Sequence, residues 1–374
     1  MAYLCLFLEE YFPEAKIDIL VHNFLNIDIH DRNYPGLDTI AERFNVKLEK
    51  TNIIKFDLIN AKSRLDKYRH KMMIEKISSK YDIFINNMYN SKHIGRAKKN
   101  IYICMFPPLK NNDVPKKTSR KLLLKYMNYS FYRSYDHFIS ISHYVNYWLE
   151  KYWGANNKYR IIQPPVFWES DIPNNYNDEY KENLILSVGR FFIGAHSKKQ
   201  LDLAKIFINN NEKFSDYELH LVGGLSNHQN DIDYVETIKK IIGNNHVFLH
   251  INAPTEEVIS LYKKAKVFWH ASGFGEDTDN EPVKAEHFGI TTVEAMSYGA
   301  VPIVIRKGGQ PEIVTETTGF LWESEDECIE KTIEIIKNES LRKKIANNAV
   351  KRSLAFSVEA FFENNRALFN ELDD

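Results

Sequence analysis

The sequence predicts an α/β protein made of two Rossmann-like domains. Short, near-continuous apolar runs alternate with amphipathic stretches, and the whole alternation occurs twice along the chain. Strands that are apolar throughout are typical of parallel sheets with helices on both faces. The length of 374 residues fits two domains of roughly 150 residues each. The 23 Phe, 21 Tyr and 5 Trp residues can build two apolar cores, which excludes disorder of the bulk of the chain.

The first half contains four predicted strands, each about six residues long and rich in Ile, Phe or Tyr. They are Lys16–Val21, Tyr81–Asn86, Asn100–Met105 and His137–Ser142. Helical periodicity is found over Ser63–Ser79 and Lys116–Tyr132. The opening segment Met1–Phe12 is apolar, and the Gly-rich turn that normally follows the first strand of a doubly wound domain is missing from the pattern.

The second half repeats the alternation. Its predicted strands are Leu184–Val188, Glu218–Val222, His246–Leu249, Val267–His270 and Val301–Ile305. Its predicted helices are Leu201–Ile208, Ile232–Ile242, Thr255–Ala265, Thr291–Tyr298 and Asp326–Ile336. The stretch Ser170–Asn183 is rich in Asn, Asp and Glu and lacks periodicity, so the domain break is placed between Pro165 and Asn183. We predict domains at 1–166 and 167–352, followed by a C-terminal segment, 353–374.

The charge is distributed unevenly between the halves. Residues 1–166 carry 27 Lys and Arg against 16 Asp and Glu, whereas residues 167–374 carry 22 against 34. Such a split indicates two domains with different partners. The basic, amphipathic stretch Lys116–Tyr132 is compatible with contact to an anionic membrane and equally with an ordinary surface helix. Nucleic acid is not an expected partner, because the basic region carries no recognisable binding motif.

Cysteine spacing and hydropathy bound the location of the protein. Cys5, Cys104 and Cys328 lie too far apart in sequence to suggest a metal site or a disulfide framework, which fits a reducing compartment. The apolar run Ala2–Leu8 is far shorter than the roughly 20 residues of a membrane span, and it lacks the basic start of a signal peptide. We expect a cytoplasmic protein, with peripheral contact to the inner membrane face as an option.

The densest chemical signal runs from Glu286 to Glu294 and reads EHFGITTVE. Thr291 and Glu294 predict a capping box at the start of a short helix, with Gly299 as its C-terminal stop. The amides at such a helix start form an anion site that suits a diphosphate. Glu286 would then lie beside a sugar, and Glu294, one turn into the helix, beside a ribose. For an isolated pair of carboxylates at this spacing, a helix cap and a solvated loop charge are the simpler interpretation.

The surrounding segment, Phe268–Val314, resembles the donor site of retaining glycosyltransferases of the GT-B fold, in the family-four or group 1 type. The resemblance rests on the E-x7-E pattern with its internal Phe-Gly-Ile, the following Glu-Ala-Met and the later Gly-Gly-x-x-Glu-Ile-Val. Upstream, ILSVGRFFIGAHSKKQLDLAKIF resembles the start of the family's donor domain, and FISISHYVNYWLEKYWG with RIIQPPV resembles the end of its acceptor domain. The resemblance implies two Rossmann-like domains that face each other across a cleft. It also implies that the last helix, Val358–Leu372, crosses back to the acceptor domain.

The resemblance also assigns roles to individual residues. Glu286 would contact the transferred sugar near its anomeric carbon, while Arg190 and Lys198 would stabilise the diphosphate leaving group. The residues assigned to donor binding are Phe288, Gly289, Ile290, Glu294, Gly223, Gly224 and Asn252. Without the resemblance, Lys198 with Lys199 is most often a solvated pair, and the two glycines are as readily an ordinary turn.

The implied function is transfer of a hexose from a UDP- or GDP-linked sugar to a glycan or lipid-linked acceptor, with retention of configuration. The leaving diphosphate would help to deprotonate the acceptor hydroxyl, so no protein nucleophile is implied. No metal or other cofactor is implied, and the D-x-D at 277–279 is interpreted as a solvated turn. His196, His270 and His287 show no metal-ligand spacing; His270 and His287 either line the donor site or are structural.

Two departures from the family pattern fall in the acceptor domain. Met105 stands before Phe106-Pro107, where many members have a His that faces the donor sugar, and Met cannot donate a hydrogen bond to a hydroxyl. The missing Gly-rich N-terminal turn is the second departure. They support an alternative, a catalytically impaired nucleotide-sugar-binding protein of the same fold. A nicotinamide-dependent oxidoreductase is disfavoured because no G-x-G-x-x-G follows a strand.

Overall fold

The computed structural model describes residues 1–23, 46–57, 63–107, 128–154, 157–166 and 178–373. The chain divides into two compact units. The first unit comprises residues 1–141, 145–165 and 361–374, and the second comprises residues 142–144 and 166–360. The fold is α/β, and the strand pairs described in both units are parallel, as the apolar strand pattern predicts.

The first unit carries six of the described strands. Its elements are α1 (Ala2–Tyr11), β1 (Ile17–Asn23), β2 (Thr51–Asp57), α2 (Arg64–Ser78), β3 (Ile83–Asn86), β4 (Lys99–Cys104), β5 (His137–Ser140), α3 (His143–Trp153) and β6 (Tyr159–Ile161). Strand β1 pairs with β2, and a separate four-stranded sheet has the order β3-β4-β5-β6. The predicted helix Lys116–Tyr132 lies largely outside the described residues.

The apolar opening segment is a helix. Leu4, Phe7, Leu8 and Tyr11 follow the i, i+3, i+4, i+7 spacing of a buried helical face. The C-terminal helix, Val358–Asp373, packs against this face in the same unit, with the ring centroids of Phe7 and Phe369 5.6 Å apart. The first strand is therefore β1, and the residues that follow it, where a Gly-rich turn would occur, lie outside the described residues.

The second unit contains one six-stranded sheet of order β12-β11-β10-β7-β8-β9. Its strands are β7 (Glu182–Val188), β8 (Glu218–Gly223), β9 (Val247–Ile251), β10 (Ala265–His270), β11 (Val301–Ile305) and β12 (Phe320–Trp322). Its helices are α4 (Gln200–Asn209), α5 (Gln229–Ile242), α6 (Thr255–Lys264), α7 (Ile290–Ser297), α8 (Gln310–Ile313), α9 (Glu325–Lys337) and α10 (Glu339–Ser353); the C-terminal helix named above is α11.

The core of the second unit explains why these segments form strands. Every residue of β11 is buried, as expected for a central strand covered on both faces. Trp269 on β10 is fully buried, and its Nε1 donates to Oγ1 of Thr332 on α9 at 3.0 Å, which anchors that helix to the sheet. Among the described residues, no helix is both long enough and apolar enough to cross a bilayer.

Candidate functional site

The candidate site lies at the carboxyl ends of strands in the second unit. Strands β10, β7, β8 and β9 are parallel neighbours, so the residues that end or follow them lie along one edge of the sheet. Gly189 follows β7, Gly223 ends β8, Asn252 follows β9 and His270 ends β10. In open α/β sheets, ligands bind at this edge.

Lys198, Glu286 and His270 converge on one carboxylate oxygen. Nζ of Lys198 forms an ion pair with Oε2 of Glu286, and Nε2 of His270 lies 3.0 Å from the same oxygen. The side chains of Lys198 and Glu286 are 17% and 13% exposed, and that of His270 is 2% exposed. The structure thus brings together two residues with predicted roles in catalysis and a histidine whose role the sequence left open.

The surroundings keep Glu286 ionised. Burial acts to raise the pKa of Glu286, but the charge of Lys198 and the hydrogen bond from His270 outweigh it and hold this pKa well below its ordinary value. Burial also lowers the pKa of His270, against the opposing effect of Glu286. His270 is therefore a neutral imidazole near pH 7, able to donate one hydrogen bond.

The segment before α4 presents Lys198 to Glu286. A Cβ at Gly189 would lie 2.4 Å from Cγ of Lys198, so the lysine stem needs a glycine beneath it. His196 and Lys199 both have left-handed backbone, with φ of 51° and 58°. Lys199 is in turn held by Glu276, with 2.6 Å between Nζ and Oε1. Strained backbone of this kind persists where its surroundings fix it, and such positions cluster at functional sites.

The Gly-Gly pair of the family motif holds the backbone of Glu286. The amide of Gly309 donates to the Glu286 carbonyl at 2.8 Å. Gly308 has a φ of 65°, and a Cβ there would lie 2.1 Å from the same carbonyl oxygen. Any side chain at position 308 would displace the Glu286 loop, which gives this part of the motif a physical reason.

The helix after Glu286 begins one residue earlier than predicted. α7 starts at Ile290, with Gly289 as its N-cap at φ 124° and no side-chain capping bond. The predicted capping box of Thr291 and Glu294 is therefore wrong. The carboxylate of Glu294 accepts a hydrogen bond from Tyr262 instead, which lies on a neighbouring helix.

Phe288 and Gly289 precede α7, and Ile290 is its first residue. The Phe288 side chain is buried and packs edge-on against Phe356, with ring centroids 5.6 Å apart. The Ile290 side chain is 44% exposed. Because the first amides of a helix lack partners within it, Ile290 and Thr291 present donors at the positive end of the helix dipole. Contact of these groups with a donor sugar stays a prediction.

Tyr262 is a site residue that the sequence reasoning missed. Its buried hydroxyl donates to Oε2 of Glu294 at 2.6 Å, and its ring stacks on Tyr298 with centroids 5.8 Å apart. Burial, with the charge of Glu294, raises the pKa of Tyr262 well above its ordinary value, so the hydroxyl remains a donor. A buried Tyr needs a hydrogen-bond partner, but the helical pattern of α6 could not identify it.

Arg190 and the two glycines take separate positions at the sheet edge. Arg190 is exposed, with its guanidinium carbon 5.4 Å from the ring centre of Phe192. A Cβ at Gly223 would lie 1.9 Å from the carbonyl oxygen of Gly189, so the ends of β7 and β8 touch through backbone alone. The carbonyl of Gly224 accepts from the amide of Phe191 at 2.9 Å. No contact among the described residues joins Arg190 to Glu286.

Asn252 connects the loops that follow β8 and β9. Its backbone is left-handed, with a φ of 55°. Its amide donates to the carbonyl of Gly223 at 2.9 Å, and its Oδ1 accepts from the amide of Leu225 at 2.9 Å. The side-chain oxygen thus has a structural bond already, and a place beside a nucleobase stays a prediction.

The D-x-D segment is a locally bonded loop. Oδ2 of Asp277 accepts from Nδ2 of Asn280 at 2.7 Å, and Glu276 pairs with both Lys199 and Lys284. Over the described ranges, no three His, Cys, Asp or Glu side chains are grouped to hold a metal ion. The lack of a metal requirement stays a prediction.

Two further histidines lie beside the cluster. The rings of His196 and His287 have centroids 5.3 Å apart. Burial lowers the pKa of His287 to about 4 and also lowers that of His196. Both rings are therefore neutral at pH 7. In the first unit, Met105 directly follows β4, at the carboxyl edge of the four-stranded sheet.

Comparison with protein families now bears on this site. Residues 169–352, which hold every predicted site residue, match the family described as Glycosyl transferases group 1. The second unit carries a glycosyl transferases group 1 domain. Of the resemblance stated above, this match confirms the glycosyl transferases group 1 domain. The Lys198–Glu286–His270 cluster lies inside that domain.

Curated relatives match the same region. The human GDP-Man:Man(3)GlcNAc(2)-PP-Dol alpha-1,2-mannosyltransferase is 27% identical over 221 residues, which cover 56% of this chain and 42% of that protein. The Dictyostelium discoideum protein of the same name is 28% identical over 188 residues, which cover 47% of this chain and 35% of that protein. The chain spans less than half the length of these curated relatives.

Solved structures extend the likeness to the whole chain. A glycosyltransferase from Rickettsia africae superposes with a TM-score of 0.69 at 18% identity, covering 99% of this chain and 93% of that one. Anabaena Alr3699/HepE in complex with UDP gives a TM-score of 0.69 at 18% identity, covering 99% and 96%. At this identity the likeness speaks for the fold, and it confirms the predicted GT-B fold class.

Proposed function

We propose that this protein is a retaining glycosyltransferase that moves a hexose from a nucleotide diphosphate sugar to a glycan or lipid-linked acceptor. One observation carries the proposal. Inside the glycosyltransferase domain, Glu286 and Lys198 meet at the carboxyl edge of the parallel sheet, just before the start of α7. A cation that could bind a diphosphate and a carboxylate that could bind a sugar hydroxyl thus lie side by side, which supports the proposal.

The proposed chemistry needs positioning and charge stabilisation. The bond between the anomeric carbon and the β-phosphate oxygen breaks, and the acceptor oxygen bonds to that carbon on the same face. The acceptor proton passes to the departing diphosphate. Lys198 and Arg190 stabilise the charge on the diphosphate, and Glu286 orients the sugar without acting as a nucleophile. The reaction proposed here requires no metal.

The names of the curated relatives support a choice of donor and acceptor to test. We propose GDP-mannose as the first donor to test and a lipid-linked glycan as the acceptor, because the curated relatives are named for that chemistry. UDP sugars come next, since the Anabaena structure contains UDP. The residues proposed to bind the nucleotide and sugar are Phe288, Gly289, Ile290, Glu294, Gly223, Gly224 and Asn252.

The test is a panel of UDP-, GDP- and ADP-sugars offered to the purified protein, with EDTA present. Thermal shift reports binding, and released nucleoside diphosphate reports slow hydrolysis in the absence of acceptor. We expect one nucleotide class to raise the unfolding temperature and its sugar to be hydrolysed slowly. If no nucleotide raised the unfolding temperature, the proposal would be contradicted at its strongest point.

A second candidate function is nucleotide-sugar binding without turnover. The observation that favours it is Met105, which follows β4 where many family members have a sugar-facing His. A thioether supplies no hydrogen-bond donor. Donor binding without hydrolysis in the wild type, together with hydrolysis in Met105→His, would favour this candidate. Turnover by the wild type would exclude it.

We also propose a cytoplasmic location with peripheral contact to an anionic membrane surface through the first unit. On α2, Tyr68 and Met72 lie one turn apart and are 60% and 46% exposed. Arg69, with a side chain 62% exposed, and the exposed Lys76 lie on the same helix. Apolar residues flanked by cations are typical of surfaces that bind anionic lipid.

Vesicle flotation tests this contact. We expect co-flotation with vesicles that contain phosphatidylglycerol and none with pure phosphatidylcholine. A Tyr68→Ser and Met72→Ser double variant would lose most of it, whereas Phe248→Ser, at a residue 43% exposed in the second unit, would not. Equal flotation of the wild type and the double variant would contradict the assignment to α2.

A further inference from the structure

We propose that His270 is a positioning residue for glycosyl transfer, which holds the Glu286 carboxylate in place when Lys198 turns to the donor diphosphate. The inference rests on the proposed function for the roles of Glu286 and Lys198. Its structural basis is the arrangement of two donors on one oxygen. Nε2 of His270 lies 3.0 Å from Oε2 of Glu286, the same atom that Lys198 contacts.

The two donors differ in how firmly they are held. His270 ends β10, which lies between β7 and β11 in the sheet, and its side chain is 2% exposed. Lys198 is on the segment before α4, and its four-carbon stem carries three rotatable donors. When a diphosphate is bound, the ammonium group can exchange the carboxylate for phosphate oxygens. The imidazole has no room for a comparable movement.

The imidazole has one favourable tautomer. Its Nδ1 is buried and has no hydrogen-bond partner among the residues that the structure describes. A proton on Nδ1 would therefore be unsatisfied, and a lone pair on Nε2 would face a carboxylate. With the proton on Nε2, His270 donates to Glu286 and leaves only the weaker cost of a buried acceptor at Nδ1.

This arrangement predicts when His270 matters. In the free protein, Lys198 and His270 both fix Oε2, so loss of the imidazole is partly compensated. Once Lys198 has moved to the diphosphate, the Nε2–H group is the contact that keeps the carboxylate oriented toward the sugar. Removal of His270 is therefore expected to lower kcat more than it weakens donor binding.

Two substitutions of similar length separate a hydrogen-bonding role from packing. His270→Gln keeps an N–H donor near the position of Nε2, whereas His270→Met fills the space without one. We expect His270→Met to lower kcat by about 10-fold to 100-fold with the donor KM changed by less than about 3-fold. His270→Gln would recover most of this loss. His246→Met, at an exposed histidine of the same unit, serves as the matched control.

Equal kcat for the Gln and Met variants, whether reduced or unchanged, would overturn the proposal, provided that both unfold at the same temperature as each other.

A second measurement does not depend on turnover. In ¹⁵N-labelled protein, the His270 ring is expected as the neutral Nε2–H tautomer at pH 7, with its proton shifted upfield in Glu286→Ala. An Nδ1–H tautomer or no response to Glu286→Ala would also overturn it. Failure of the wild type to turn over any donor would count against the proposed function, and the tautomer measurement would still decide this contact.

Discussion

The two ends of the E-x7-E segment differ in what holds their carboxylates. Glu286 is held by a cation and a neutral imidazole, both on Oε2. Glu294 is held by the hydroxyl of Tyr262 at 2.6 Å, which brings no charge. The two carboxylates, eight residues apart in the sequence, thus differ in these contacts: a lysine ammonium contacts Glu286, and an uncharged hydroxyl contacts Glu294.

The difference suggests a division of labour. Glu286 is held by an ion pair with Lys198 and by the buried imidazole of His270, so its carboxylate is suited to orienting a reacting group. Glu294, which accepts a hydrogen bond from the uncharged hydroxyl of Tyr262, is suited to accepting bonds from sugar hydroxyls that are bound but do not react. Substitutions at each end are therefore expected to affect different kinetic parameters.

Glu286→Gln has the largest expected effect. The amide cannot compensate Lys198 and loses the charged contact proposed for the sugar, so we expect kcat to fall by about 10²-fold to 10³-fold. Affinity for the free nucleoside diphosphate would stay within about 3-fold, because Lys198 remains available to it. Steady-state kinetics and nucleotide titration provide these two values.

Glu276→Gln is the matched control, since Glu276 also pairs with lysines of the same unit, Lys199 and Lys284. It would leave kcat within a few-fold of the wild type. Equal losses in the two variants would mean that any broken ion pair in this region impairs the protein, and the special role of Glu286 would be lost.

The second expected effect is a dependence of stability on pH that arises from His287, next to Glu286 in the sequence. The pKa of His287 falls from 6.5 to about 4 because of burial, so between these values the unfolded chain binds a proton that the folded protein does not. Stability is therefore full above pH 6.5 and is lost as the pH falls toward 4, by at most about 3 kcal/mol from this residue. Tyr262, beside Glu294, does not titrate in this range.

Urea unfolding at several pH values between 7 and 4 tests this expectation. His287→Phe would flatten the dependence of the unfolding free energy on pH, whatever it does to stability at pH 7. His246→Phe, at an exposed histidine of the same unit, serves as the control for the substitution itself. An unchanged slope in His287→Phe would show that the pKa of this ring is the same in the folded and the unfolded protein, which would contradict the expectation.

The same contrast shows what the sequence could predict. Strands such as β11 and β8 are continuous apolar runs, and their predicted bounds agree with the structure to within a residue. Strands β2, β6 and β12 were not predicted: β2 mixes polar and charged residues with apolar ones, and β6 and β12 are each three residues long. The local sequence pattern therefore predicts strands that are apolar throughout. It does not predict strands that are short or partly polar and that form because a neighbouring strand pairs with them.

The site divides in the same way. Lys198 and Glu286 were singled out through motifs, and the structure brings them together across 88 positions of sequence. The capping box at Glu294 was a local inference, and it failed because the helix begins at Ile290 with Gly289 as its N-cap. Glu294 accepts a hydrogen bond from Tyr262, on another helix, instead. The link from His270 to Glu286 also depends on the sheet edge that brings them together, which no spacing in the sequence reveals.

Glu294→Ala is the third expected effect. Loss of a charged hydrogen-bond acceptor for the ribose corresponds to about 1.5 to 3 kcal/mol, so donor affinity would weaken by roughly 10-fold to 100-fold. The value of kcat at saturating donor would change by less than about 3-fold. Unchanged donor affinity would show that the ribose assignment of Glu294 is wrong.

Tyr262→Phe has the smallest expected effect and is the sharpest test of the comparison. It removes one hydroxyl and keeps the ring that stacks on Tyr298. The hydroxyl is expected to affect donor binding only by orienting the Glu294 carboxylate, so the donor KM would rise by about 5-fold, which corresponds to about 1 kcal/mol, with kcat unchanged. In the Glu294→Ala background the same change would have no further effect on KM, because the hydroxyl acts only through that carboxylate. An additive loss in the double variant would show that Tyr262 contributes to donor binding by another route, and that Glu294 is not oriented by it.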